Sequence, residues 1–135
     1  MHESPAVADA LSAFFAKNAS GDVATFDEVV SSEKAVLAVG STAREWFFGQ
    51  EAVRGAYGLE GVLIDPGPID AWENGETGWA VARPTFSIPG GPSLRLRFTA
   101  VFVREDGRWK LIHLHGSYPV PDEVAVEHPE WWDAG

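Results

Sequence analysis

Two histidines, His113 and His115, stand two residues apart in a run of β-formers, LRLRFTAVFVREDGRWKLIHLHGS, at residues 94–117. Strand alternation points both side chains the same way, so the pair has the spacing to share a metal ion or to act as acid and base. A metal needs further ligands, and none stands at motif spacing. The expectation is therefore no metal and no cofactor, with the two histidines hydrogen-bonded at an interface beside Arg97 and Thr99. Asp70 is the carboxylate that strand pairing could carry into an apolar site, where desolvation would raise its pKa toward general-base use; Asp65 is the weaker substitute. Arg83, Arg95, Arg97 and Arg104 read as ion-pairing partners for the many acidic side chains. The chain contains no P-loop, dinucleotide fingerprint, serine nucleophile elbow or paired-histidine helix.

The position of these groups depends on strand register. Asp106-Gly107 is a strong hairpin signal. A two-residue loop would pair Arg104 with Trp109 and mix Phe98 and Phe102 with His115. A three-residue loop, Glu105-Asp106-Gly107, pairs Arg104 with Arg108 and segregates the faces, and segregation is what register is selected to achieve. It places Leu96, Phe98, Ala100 and Phe102 with Ile112, Leu114 and Gly116 on a wholly apolar face. Arg95, Arg97, Thr99, Val101 and Val103 then share a mixed face with Trp109, Leu111, His113 and His115. Continuing through Pro89-Gly90-Gly91-Pro92, the strand Trp79–Ile88 adds Ala80, Ala82, Pro84 and Phe86 to the apolar side and Trp79 to the mixed side. Pro84 predicts a bulge or bend, because proline cannot donate to a ladder. Before it, Ile69–Glu73 is a strand with its turn at Asn74-Gly75. A three-residue turn pairing Trp72 with Gly78 aligns Asp70 with Ala80, facing the apolar side.

Helical spacing of Val7, Leu11, Phe14 and Phe15 predicts a helix from Pro5 to Lys17. A second runs from Asp22 or Val23 to Val30, strands at Ala35–Val39 and Glu45–Phe48 follow, and a third helix covers Gln50–Tyr57. Helices followed by a long antiparallel meander is the α+β pattern. The whole chain, 1–135, reads as one domain with 119–135 as a C-terminal tail containing Trp131 and Trp132. The 135 residues are enough for a core without staples, and the hydrophobic share of 45% is too high for disorder. A net charge of −10 opposes binding to nucleic acid or anionic membrane, and the absence of cysteine excludes disulfides and thiolate chemistry. No apolar run is long enough to span a membrane and no signal-peptide pattern opens the chain, so a cytoplasmic location is expected.

Val36-Leu37-Ala38-Val39-Gly40, Glu45-Trp46-Phe47-Phe48-Gly49 and DGRWKLIHLHGS at 106–117 together resemble SnoaL-like proteins of the nuclear transport factor 2-like superfamily. The ending is also similar to the association domain of calcium/calmodulin-dependent protein kinases. That domain's pocket arginines fall here on Ala80, Ala100 and Gly116, so its anion site is not expected. The resemblance implies a cone: three N-terminal helices packed on a strongly curved, mainly antiparallel sheet, with a pocket between them and dimerisation through the outer sheet face. On that reading Phe15, Phe98, Phe102, Ile112 and Leu114 line the pocket, with Trp46 and Trp72 at its rim. Trp79, Arg97, Thr99, Val101, Trp109, Leu111, His113 and His115 form the homodimer contact. The expected function is small-molecule binding in an apolar pocket. The alternatives are an isomerase, cyclase or hydratase using Asp70 as base on a hydrophobic carbonyl substrate, and a non-catalytic assembly module.

Overall fold

Ser4 opens the first helix. Its Oγ accepts from the Val7 N–H at 3.1 Å and Pro5 takes the first helical position, so α1 (Pro5–Ala19) starts where capping chemistry dictates. The computed structural model describes residues 1–58 and 61–130. The Trp131 and Trp132 of the tail lie outside them, as do residues 59–60 of the glycine-rich loop before Gly61.

The strands are β1 (His2–Glu3), β2 (Leu37–Val39), β3 (Trp46–Phe48), β4 (Leu63–Asp65), β5 (Ile69–Asn74), β6 (Thr77–Ala82), β7 (Thr85–Ser87), β8 (Ser93–Arg95), β9 (Arg97–Glu105) and β10 (Arg108–Ser117). Helix α2 (Gln50–Ala56) follows β3, and α3 (Asp122–Val126) lies near the C-terminus. Seven strands form a curved sheet in the order β1-β5-β6-β9-β10-β2-β3, and β4-β7-β8 form a smaller one. Pairing is antiparallel except between β10 and β2. The break between sheets falls where Pro84 interrupts the run from β6 to β7 and Leu96 interrupts that from β8 to β9. The Leu96 N–H donates to the Pro84 carbonyl at 3.0 Å, so the two interruptions meet and the predicted bend is real.

One α-helix, rather than three, precedes the sheet. The segment expected as a second helix keeps only a 3-10 turn, Phe26–Glu28. Beyond it the backbone is used otherwise: the Leu111 N–H donates to the Val29 carbonyl at 2.9 Å and Ser31 N–H to the Leu111 carbonyl at 2.8 Å. Val30 N–H still closes one helical bond, to the Phe26 carbonyl at 3.0 Å, but Val29 and Ser31 on either side of it are tied to β10 and the chain runs on beside that strand. The third expected helix exists as α2, but after β2 and β3.

The inner sheet face is ordered in lateral rows. Gly78, Phe102 and Leu111 form one, Ala71, Ala80, Ala100 and Leu114 the next, and Ala82, Phe98 and Gly116 a third. The alanine row lets α1 lie close, and Val7, Leu11, Phe14 and Phe15 are buried against it. Leu11, Phe15, Phe102 and Leu111 are among the largest fully buried side chains, each contributing about 1.5–3 kcal/mol through burial.

The central hairpin departs from expectation at its tip. Arg108 pairs with Glu105 and Trp109 with Arg104, leaving a two-residue loop in which Asp106 (φ 52°) and Gly107 (φ 74°) both take left-handed backbone. A bulge between Leu111 and His113 then shifts the register once more. Trp109 and Leu111 therefore face the core side, not the mixed face: Leu111 is 0% exposed, and Trp109 packs against the core under the Arg104 guanidinium. Past the bulge His113 pairs with Val101 and His115 with Thr99 on the outer face, while Leu114 and Gly116 join Ala100 and Phe98 inside.

The β5–β6 turn also differs. Trp72 pairs with Trp79 and Asp70 with Val81, across a two-residue turn rather than three. That one-residue difference turns Asp70 to the outer face, where it is exposed.

Candidate functional site

Small residues facing the helices leave room. Ala38 on β2, Gly116 on β10 and Ala56 on α2 border a cavity of about 370 Å³ between α1, α2, the large sheet and the small one. Phe14 and Phe15 of α1 form one wall, and Phe86, Leu94 and Leu96 at the bend form another. Phe98 and Leu114 supply the floor. The Phe15 ring packs on Phe98 at 4.9 Å and edge-on to Phe86 at 6.4 Å, which fixes both walls to one helix.

The polar members of the lining are Asn18, Ser41, Glu45, Tyr57 and Tyr118; no lysine, arginine or histidine of the described residues joins them. Glu45 is held in the β2–β3 connection. Its carboxylate accepts from the Thr42 N–H at 3.0 Å and from the Thr42 hydroxyl. The Gly40 N–H donates to the Glu45 carbonyl at 2.7 Å, and Gly40 is required because a Cβ there would lie 2.4 Å from the Glu45 Cβ.

Tyr57 follows α2, with its ring 5.6 Å from Phe14 and 5.1 Å, edge-on, from Phe26. Its backbone is pinned on both sides: Tyr57 N–H donates to the Arg54 carbonyl at 3.2 Å, and the next amide, Gly58 N–H, to Asn18 Oδ1 at 2.8 Å. The residue is 8% exposed, and its hydroxyl is buried without a hydrogen-bond partner. Burial, reinforced by the charge of Asp22, pushes this phenol up to about 12, so it stays protonated and can donate.

Of the residues expected in the pocket, Phe15, Phe98 and Leu114 line it. Phe102 is sealed in the core one row away, and Ile112 packs against the core at the bulge. Trp46 is 66% exposed. Trp72 stacks on Trp79 at 4.4 Å on the outer face, and the Trp79 indole N–H donates to Met1 Sδ at 3.3 Å. Asp70 does not reach the cavity, and Asp65 accepts from the Gly67 N–H at 3.0 Å in its own turn. Arg97, Thr99, Val101, His113 and His115 lie on the outer face as expected, with His113 Nδ1 3.0 Å from the Leu37 carbonyl oxygen. Among the described residues no three His, Asp or Glu side chains gather as a metal site would require.

Sequence reasoning passed over Tyr57, Glu45, Asn18 and Tyr118. For Tyr57 the signal was present: a tyrosine on the inward face of a helix must place its hydroxyl somewhere. Glu45 carried none, because its entry depends on the tight β2–β3 connection.

Solved structures share this fold. A nuclear transport factor 2-like superfamily protein from Salmonella enterica superposes with TM-score 0.74 at 13% identity, covering 86% of this chain and 90% of its own. A Caulobacter vibrioides protein with a cystatin-like fold gives 0.67 at 18% identity, covering 93% and 94%. A candidate dehydratase of the NTF2-like family from Streptomyces avermitilis gives 0.72 at 21%, covering 86% and 95%. Comparison with curated protein sequences yields no match. The SnoaL-like domain family matches residues 7–121, nearly the whole described fold, and the chain belongs to that family.

Proposed function

We propose that this SnoaL-like domain binds a small, mainly apolar molecule in the cavity between α1, α2 and the sheet. The observation that carries the reading is the cavity itself: about 370 Å³, walled by aromatic and aliphatic side chains with a few polar groups. Such a space suits a ligand of modest size, and a purely structural assembly module would have no use for it. The test is mass spectrometry of what co-purifies with the protein, repeated on Leu94→Trp, which fills the cavity from the small sheet. Co-purification of the same molecule in equal amount with Leu94→Trp would count against the site.

Catalysis is the second reading, favoured by a carboxylate and a phenol lining one cavity. An isomerase-, cyclase- or hydratase-type reaction would use Glu45 to accept a proton, with Asp70 outside the site. The outer sheet face supports a homodimer: Trp79 and Val101 present apolar surface beside Thr99, and on the same face, beyond β10 and β2, Trp46 and Phe48 are 66% and 64% exposed. No described helix is long and apolar enough to cross a membrane.

A further inference from the structure

We infer that the cavity selects a protonated amine with an apolar body, its ammonium group paired with the Glu45 carboxylate. The inference rests on the cavity being a binding site, as proposed above, and adds the class of ligand.

Strand register turns Glu45 inward. Ala38 pairs with Phe47 and Val39 with Trp46, and the bond from the Gly40 N–H to the Glu45 carbonyl continues that ladder by one pair. Side chains alternate along a strand, so Gly40 and Glu45 share the face of Ala38 and Phe47, both of which line the cavity. The space over Gly40 agrees: a Cβ built there would lie 2.5 Å from Glu45 Oε2 and 2.7 Å from its Cδ, so the carboxylate sits on the inner side of β2. Thr42 holds Oε1 through its N–H and its hydroxyl. Oε2 has no hydrogen-bond or ion-pair partner among the described residues, and the residue is half-buried rather than sealed.

Charge then decides the class of ligand. No described lysine, arginine or histidine lines the space, and the other polar members of the lining, Asn18, Ser41, Tyr57 and Tyr118, carry no positive charge. A carboxylate at the wall of an apolar cavity needs a counter-charge. An ammonium group supplies one and donates to Oε2, a charge-assisted bond stronger than a neutral one. An anion would meet like charge in the same place. Phe14, Phe15, Phe47 and Phe86 take the apolar body, and their ring faces attract a cation.

Three probes of one skeleton separate these effects: 2-(aminomethyl)naphthalene, 2-ethylnaphthalene and 2-naphthoate, each measured by equilibrium dialysis at neutral pH. The wild-type protein should bind the amine at least about tenfold tighter than the ethyl compound, the worth of one charge-assisted hydrogen bond, and the naphthoate weakest. Glu45→Gln, with a native circular dichroism spectrum, should bring the amine down toward the ethyl level, improve the naphthoate and leave the ethyl compound within about twofold, since shape is kept and only charge is lost. Glu51→Gln, at an exposed site on α2 outside the lining, removes the same charge from the protein and should leave the amine-to-ethyl ratio unchanged. An amine-to-ethyl ratio that survives Glu45→Gln, or falls equally with Glu51→Gln, overturns this inference while leaving the cavity as a binding site, as does naphthoate binding tightest. Failure of all three probes to bind, or binding indifferent to Leu94→Trp, overturns the cavity reading and this inference with it.

Discussion

Gly78 lies directly beneath Val7: a Cβ built on Gly78 would come 2.6 Å from Val7 Cγ2 and 3.1 Å from the Trp72 carbonyl oxygen. Val7 is fully buried, so α1 rests on the sheet at this point with no slack. Gly78→Ala should therefore destabilise the fold by about 1–3 kcal/mol through overpacking. Adding Val7→Ala should recover part of the loss, because the two residues share one contact. Urea unfolding of the single and double variants checks both statements, and strictly additive effects would contradict the contact.

The hairpin tip gives a second test. Leu111 belongs to the core only because the Asp106-Gly107 loop is short and the bulge follows it. Leu111→Ala should lower stability by about 2–5 kcal/mol. Val101→Ala, half-buried on the opposite face, should lower it less. Equal effects in thermal melts would mean that the two residues share similar surroundings, as the three-residue loop requires.

This hairpin shows what the sequence can and cannot disclose. The real loop is one residue shorter than the segregation argument chooses, and the bulge adds one residue back to the offset. The two differences restore parity, so His113 and His115 fall on the expected outer face while Trp109 and Leu111, lying before the bulge, do not. Nothing in Leu111-Ile112-His113 announces a bulge, since all three residues suit a regular strand. The Val29–Ser31 segment that pairs with Leu111 is remote in sequence, and tertiary pairing of that kind overrides the helical reading of 22–30. The cavity was legible where it follows a period, as at Phe15, Phe98 and Leu114. It was not legible where it depends on connections, as at Glu45 and Tyr57.

Asp70 makes the same point in one residue. A turn one residue shorter than expected leaves it opposite Val81 and exposed. Asp70→Asn should change neither stability, nor the amount of any molecule that co-purifies, nor any turnover that is found. A large loss of activity in Asp70→Asn, with wild-type structure retained, would return the carboxylate to the site.

The phenol of Tyr57 yields a prediction at alkaline pH. A tyrosine in the unfolded chain ionises near 10, whereas Tyr57 in the native protein does so at about 12. Between those values the unfolded chain has released a proton that the native state keeps, so stability falls as pH rises through that window. Below it, the contribution is constant. Tyr57→Phe removes the group and should show a shallower loss of stability from pH 10 to 12 than wild type. A difference titration of tyrosinate absorbance near 295 nm should place Tyr57 at the upper end of the same range; ionisation near 10 in the native protein would contradict the buried donor.

The outer face makes the final prediction, because its composition is difficult to reconcile with open water. Val81, Val101 and Leu37 lie half-buried there in the isolated chain, the Trp72–Trp79 stack sits beside them, and Trp46 and Phe48 project from β3. Antiparallel sheets commonly leave one face to solvent, but that face is then polar. A twofold contact would bring Thr99 and Val101 of each chain toward their counterparts, with His115 and Arg97 nearby. Light scattering at micromolar concentration should accordingly give twice the chain mass of 14.6 kDa. Thr99→Glu, at an exposed site that the monomer fold does not need, should shift the protein to monomer by setting like charges against each other in a desolvated contact. Val101→Glu should do the same more completely, and both should regain dimer when the acidic group is replaced by glutamine at position 99 or methionine at position 101. A wild-type monomer at micromolar concentration, or a dimer indifferent to both glutamates, would place the contact elsewhere or remove it.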